Sequence, residues 1–299
     1  MDKFVHNLDK EHRSRKGFAL LLTLSILSIV IALSTVLVNY ISTTNKNMID
    51  TKALIEGDIL YSDIKQILLS VQKDKETIYK MLYETPLPFS LDDDRFSFIL
   101  KCKPLANGVN INWLIYNTSA MQSRVDMVHQ VLDVIFQKYD IQNPNYLEEM
   151  LREYMYISET KHKEILSKNE FENIILKYMF SEDDKSVEHI PWDKYFVFNH
   201  VNKQANNNKI DANYMSVELI SALFGIDIDS LREEWVEGSS DLSQLLGNNG
   251  IALDKKIYSI NFYPYSKCEV SYSYMDRRFK FSFNDIKGEV KDFEFYGKQ

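Results

Sequence analysis

Apolar and polar positions divide the chain into four kinds of stretch. From Phe18 to Val38 there are 21 residues, apolar except for Thr23, Ser25, Ser28, Ser34 and Thr35. No charged residue occurs between Lys16 and Lys46. A run of about 20 such residues matches the hydrocarbon thickness of a bilayer as one helix, whereas a secretory signal core is shorter. The apolar positions then turn periodic: Ile49, Leu54, Ile55, Leu60, Ile64, Ile67, Leu68 and Val71 recur at helical spacing with charges between them. One helix is therefore expected from about Phe18 to about Val71, and Pro86 and Pro88 end any helix by Glu84.

The pattern changes again in "DRFSFILKC". There Phe96, Phe98, Leu100 and Cys102 alternate with other residues, as in a strand. Near the C-terminus four aromatic-rich runs, "KIYSINFY", "KCEVSYSYM", "RRFKFSF" and "VKDFEFY", predict an antiparallel meander. The middle is helical. Val125, Val128, Val131, Leu132, Ile135 and Phe136 mark one helix, and "YLEEMLREYMYI" a second. "SKNEFENIILKYMF" opens with a capping-box pair, Ser167 and Glu170. "SVELISALFG" and "SLREEWVEG" follow. Residues 105–250 thus read as a helical block between β-rich ends. Insertion into a sheet domain is the favoured arrangement, because the C-terminal strands need the 95–103 strand as a partner. No fixed-period repeat is evident.

Charge orients the membrane-like stretch. Residues 1–17 carry five Lys/Arg, and the 17 residues after Val38 carry only Lys46 and Lys52. By the positive-inside rule the N-terminus stays in the cytoplasm and the remainder lies outside it. The net charge of −8 disfavours nucleic acid as a partner. "LISALFGIDIDSL" has a helix–hairpin–helix look but one Gly and acidic surroundings. Only Cys102 and Cys268 occur, which excludes a disulfide scaffold but permits one bridge in an oxidising compartment. Both lie in strand patterns, and the alternatives are neighbouring, bridged cysteines or two apolar free thiols. The six histidines show no metal-binding spacing, and no nucleophile elbow, P-loop or dinucleotide fingerprint is present. No enzymatic role is expected. "SEDDKSVEHIPWD" concentrates carboxylates, among them Asp183, Asp184 and Glu188. Such density suits either a calcium loop with oxygen ligands or a solvated acidic loop. "LDDD" at 91–94 reads as a solvated turn.

A membrane-to-soluble helix, a strand and a terminal antiparallel sheet resemble the layout of type IV pilin-like proteins. "RKGFALLL" resembles the signal cut by prepilin peptidase. The resemblance implies cleavage between Gly17 and Phe18, with Lys16 as the basic residue before the cut and Phe18 as the new, N-methylated terminus. Most members carry Glu at the fifth mature position, where this chain has Leu22. The K-type minor pseudopilins of type II secretion lack that Glu, have about 300 residues and carry a large helical insertion. They also tend to show two N-x-N-like stretches. Asn110 and Asn112 in "GVNINWL" match one, and Asp211 and Asn213 in "NNKIDANYM" match the other with its first Asn replaced.

The resemblance implies an α+β pilin-like fold: a leader at 1–17, a transmembrane half-helix at 18–40, an α/β domain from 41–104 and 251–299, and an inserted helical domain at 105–250. It implies a single-pass protein of the bacterial inner membrane with a periplasmic C-terminal domain, acting at a pseudopilus tip. Implied partners are the other minor pseudopilins, the major pseudopilin, prepilin peptidase, the inner-membrane assembly platform, and a secreted substrate or the secretin. It requires no cofactor, although calcium-binding acidic loops occur in that branch. A minor pilin of a type IV pilus or DNA-uptake system fits the same features. So does, from another class, a single-span membrane enzyme or sensor.

Overall fold

The computed structural model describes residues 2–70, 75–90, 96–116, 118–158, 161–202, 207–274, 277–286 and 289–298, with side chains from Leu20 onward. The "LDDD" stretch and Val71 lie outside the described residues. Two compact units are present, one through Ile64 and one spanning Lys65–Gly297.

The first unit is almost all of one helix, α1 (Asp2–Ser70). It runs without a break through Val38 and beyond Ile59, as the apolar run followed by helical periodicity predicts. Its apolar positions form more than one row. Leu54, Ile55 and Ile67, all expected on a packed face, are exposed. Helical spacing identified the helix, but it did not separate the rows.

The second unit opens with the last turn of α1, where Leu68 is buried, and α2 (Lys75–Glu84). α2 stops at Glu84, two residues before Pro86. Five strands follow in the order β1 (Leu87–Ser90), β2 (Phe96–Pro104), β3 (Tyr265–Tyr274), β4 (Arg277–Ile286) and β5 (Glu289–Lys298), which is also their order across the sheet. β1 gives no strand signal in the sequence because its two-proline context, Pro86 and Pro88, reads as a breaker; as an edge strand it tolerates proline. The run "KIYSINFY" is not a strand of this sheet. Its Tyr258–Ser259 pairs instead, in parallel, with Ile210–Asp211.

Alternation places three rows on the inner face: Phe98, Tyr272 and Phe279; Leu100, Val270 and Phe281; Cys102, Cys268 and Phe283. Of these, Val270, Phe281, Phe283 and Cys268 have no solvent exposure, and burying each large side chain contributes about 1.5–3 kcal/mol. Tyr79 and Leu82 bury one side of α2. Tyr79 donates its hydroxyl hydrogen bond to Asp285 of β4, and Lys75 pairs with the same carboxylate at 2.7 Å. The outer face is polar, with Lys101, Lys103 and a Glu269–Lys280 ion pair at 2.8 Å.

The helical block enters between β2 and β3, so it is an insertion in the sheet. Its two halves share an order of short strand, 3-10 turn, three helices and short strand, the first half adding a hairpin at Tyr156–Ser158 and Lys161–His162 and two 3-10 turns at Lys185–His189 and Trp192–Lys194. First comes Val109–Asn110, a 3-10 turn at Ile111–Ile115, then α3 (Gln122–Lys138), α4 (Pro144–Met155) and α5 (Lys168–Glu182), and finally Phe196–Val197 pairing in parallel with Val109–Asn110. Next comes Ile210–Asp211, a 3-10 turn at Ala212–Tyr214, then α6 (Val217–Phe224), α7 (Ile228–Glu234) and α8 (Leu242–Asn248), closed by Tyr258–Ser259. The two copies differ in length and share only a short motif, so they leave no fixed-period repeat in the sequence. Both copies feed one core through Val131, Leu132, Ile135, Leu147, Leu151, Leu219 and Leu242, all fully buried.

Candidate functional site

The residues singled out in the sequence fall in three places. The first is the N-terminal part of α1. Lys16, Gly17 and Phe18 lie within the helix, and their side chains are outside the described residues. From Leu20 the apolar side chains are about half or more exposed: Leu22 is 52% exposed and Val38 64%. The helix is long and apolar enough to cross a membrane. Its hydroxyls bond within the helix: Thr23 donates to the Leu20 carbonyl at 2.9 Å, Ser28 to Leu24 at 2.8 Å and Thr35 to Ile31 at 2.9 Å. These three hydroxyls are thereby satisfied without water, a requirement in hydrocarbon. Leu22 sits among them with no polar atom in its side chain.

The second place is the root of the helical block, where the two N-x-N-like stretches start the two copies. The Asn110 side chain accepts from the Asn112 amide at 3.1 Å, forming the first turn. Asn112 is fully buried. It donates to the carbonyls of Ile165 at 2.8 Å and Asn199 at 3.0 Å, and accepts from the Ile165 amide at 2.7 Å. In the second copy Asn213 donates to the Ile260 carbonyl at 3.0 Å and accepts from the Leu242 amide at 3.3 Å. These amides replace missing backbone partners where short strands meet helices, which explains the spacing. Cys102 and Cys268, directly opposite each other in β2 and β3, are bridged. The bridge ties together the two strands from which the block departs and to which it returns.

The third place is the acidic loop. Asp184 is buried. It accepts from the backbone amides of Ser186 at 3.0 Å and Gln142 at 3.1 Å, and from the Tyr178 hydroxyl at 3.4 Å. Burial alone would raise its pKa, but these bonds, with the Ser186 hydroxyl, outweigh it and hold the carboxyl below the usual range. Asp183 sits in a left-handed conformation with φ of 54°, and it and Glu188 face solvent. Asp193 pairs instead with Lys168 at 3.2 Å. Among the described residues no three His, Cys, Asp or Glu are grouped as cation ligands. As they stand, Asp183, Asp184 and Glu188 are not grouped as cation ligands: the buried Asp184 carboxylate is committed to its own hydrogen bonds, and the other two are exposed.

No protein-family model and no curated protein matches the chain. Among solved structures it is similar to a chain of the GspK-GspI-GspJ complex from the type 2 secretion system of enterotoxigenic Escherichia coli. That similarity has a TM-score of 0.49 and 14% identity over 83% of this chain and 97% of the other.

Proposed function

We propose that this chain is a K-type minor pseudopilin, placed at the tip of a type II secretion pseudopilus. One observation carries the reading: a single helix runs from the basic segment at Arg13–Lys16 through an uncharged stretch to Ser70. A signal sequence would end where the membrane ends, whereas an assembly helix continues into a folded domain. In this role prepilin peptidase cuts between Gly17 and Phe18, and the new amine at Phe18 is methylated. The sheet unit and its helical block lie in the periplasm.

Leu22 and the helical block support the tip position. An unpaired charge in lipid costs several kcal/mol, so each Phe18-type amine in a fibre needs a carboxylate from a neighbour. This subunit can use the Glu of the subunit below it and offers none to a subunit above. Its partners are then the other minor pseudopilins and the major pseudopilin. The test is gold labelling of the chain on sheared fibres. One label at one end is expected, and labels along the shaft would refute the tip assignment.

A further inference from the structure

Asp211 occupies in the second copy of the repeated unit the place that Asn110 holds in the first. Each ends the two-residue strand that opens its copy, Val109–Asn110 or Ile210–Asp211. Only Asn110 caps the turn that follows, accepting from the Asn112 amide; the Asp211 side chain makes no such cap bond. They differ on the other side too. Asn110 donates its amide to the Asn199 carbonyl at 2.8 Å. Asp211 has no hydrogen to give when ionised, and its Oδ2 is buried without a partner. The residue is 2% exposed. It stands at the seam between the helical block and α2. Its own amide donates to the Ala106 carbonyl at 2.7 Å. Its turn-mate Tyr214 meets Tyr83 of α2 edge-on, with ring centroids 5.1 Å apart.

The groups facing Asp211 do not neutralise it. The nearby backbone amides of Tyr263 and Asn213 favour its charged form, but less than burial disfavours it. On α2 the nearest charges are Lys80 and Glu76, which pair with each other at 2.9 Å and act on Asp211 in opposite senses. Tyr83 and Tyr214 are neutral hydroxyls, both held protonated well above neutrality by burial. An ionised carboxylate here has no cation of its own, and a buried unpaired charge is costly. Protonated, the same group is the near-isostere of asparagine and leaves no buried charge unpaired.

We propose that Asp211 is a proton-binding site built into this seam: the closed seam holds the neutral carboxyl, and ionisation loosens the block's hold on α2. Burial raises the Asp211 carboxyl to about 7 in the closed state, against about 3.9 for a solvated aspartate. The folded value is the higher one. The closed seam is therefore favoured below about pH 4, loses roughly tenfold in its closing constant per pH unit as pH rises towards 7, and is level above that.

The experiment is hydrogen exchange on the full-length chain in detergent micelles, read as protection factors of α2 peptides from pH 5 to pH 8, for wild type and Asp211→Asn. Wild-type protection is expected to fall, relative to the variant, by roughly tenfold per unit between about pH 5 and pH 7, and then to level off. The same pH dependence in both proteins would overturn the proposal. Should Asp211→Asn not fold, the wild type labelled at aspartate 13Cγ decides it. One carboxyl resonance titrating near neutrality is expected, and all resonances titrating below about pH 5 would overturn it.

Discussion

Asn112 is the side chain on which the root of the helical block turns. It makes three side-chain hydrogen bonds, two buried ones to Ile165 and a part-buried one to Asn199. Asn112→Ala leaves the Ile165 carbonyl and amide unpaired in a dry site, at about 1–3 kcal/mol for each unmet group, while the Asn199 carbonyl keeps its bond from Asn110. A loss of about 3 kcal/mol or more in urea unfolding is expected. Asn213→Ala, which removes part-buried bonds, should cost less. Equal losses for the two would contradict the assignment of Asn112 as the principal anchor. The cysteines act on the unfolded state instead. The bridge closes a segment with a sequence separation of 166 that contains the whole block. Cys102→Ser with Cys268→Ser is expected to cost about 2–4 kcal/mol of stability, measured against wild type without reductant. At this scale the sequence exposed residue types more readily than their roles. The spacing of Asn110, Asn112, Asp211 and Asn213 was visible, but their partners Ile165, Asn199, Ile260 and Leu242 lie 29 to 89 residues away. No local pattern encodes them.

Among the elements, two helix hairpins turn through a left-handed residue: Asp140 with φ of 54° after α3, and Gly225 with φ of 67° after α6. Each is followed by an isoleucine and a capped helix start, at Asn143 and Asp227. Nothing lies within 4 Å of the site of a Cβ at Gly225, so Gly225→Ala meets only the backbone penalty. About 1 kcal/mol of destabilisation is expected. Asp140→Gly should run the other way, being neutral or slightly stabilising. Thermal unfolding checks both, and stabilisation by Gly225→Ala would contradict the hairpin geometry. Helices with strong periodicity, such as α3 and the Ser167-capped α5, were legible. Ser167 accepts from the Glu170 amide at 3.1 Å, although Glu170 reaches back one residue further than a capping box requires, to the Leu166 amide at 3.0 Å. The strand-like run at 256–263 misled because aromatic richness signals a half-buried surface in general, not membership of one particular sheet. β1 was hidden because the prolines that bar a central strand are harmless at an edge.

For the whole molecule, α+β architecture with an inserted helical block followed from the order of patterns along the chain. The second copy within the block did not. The tip assignment makes its own prediction at this scale. Leu22→Glu supplies the acceptor that a subunit above would need, yet the block of residues 105–250 should still forbid addition on steric grounds. Incorporation within fibres is therefore expected only when Leu22→Glu is combined with removal of that block. Incorporation of the single variant along the shaft would show that charge alone sets the end position.

The measurement that bears most directly on the account is the intact mass of the chain after co-expression with a prepilin peptidase, for wild type and Gly17→Ala. Removal of 17 of the 299 residues of this 35.1-kDa chain shortens it by about 2 kDa. Wild type is expected to show that loss, with an N-methylated Phe18 at the new terminus, and Gly17→Ala the full-length mass. Two proteins of the same full-length mass would contradict it.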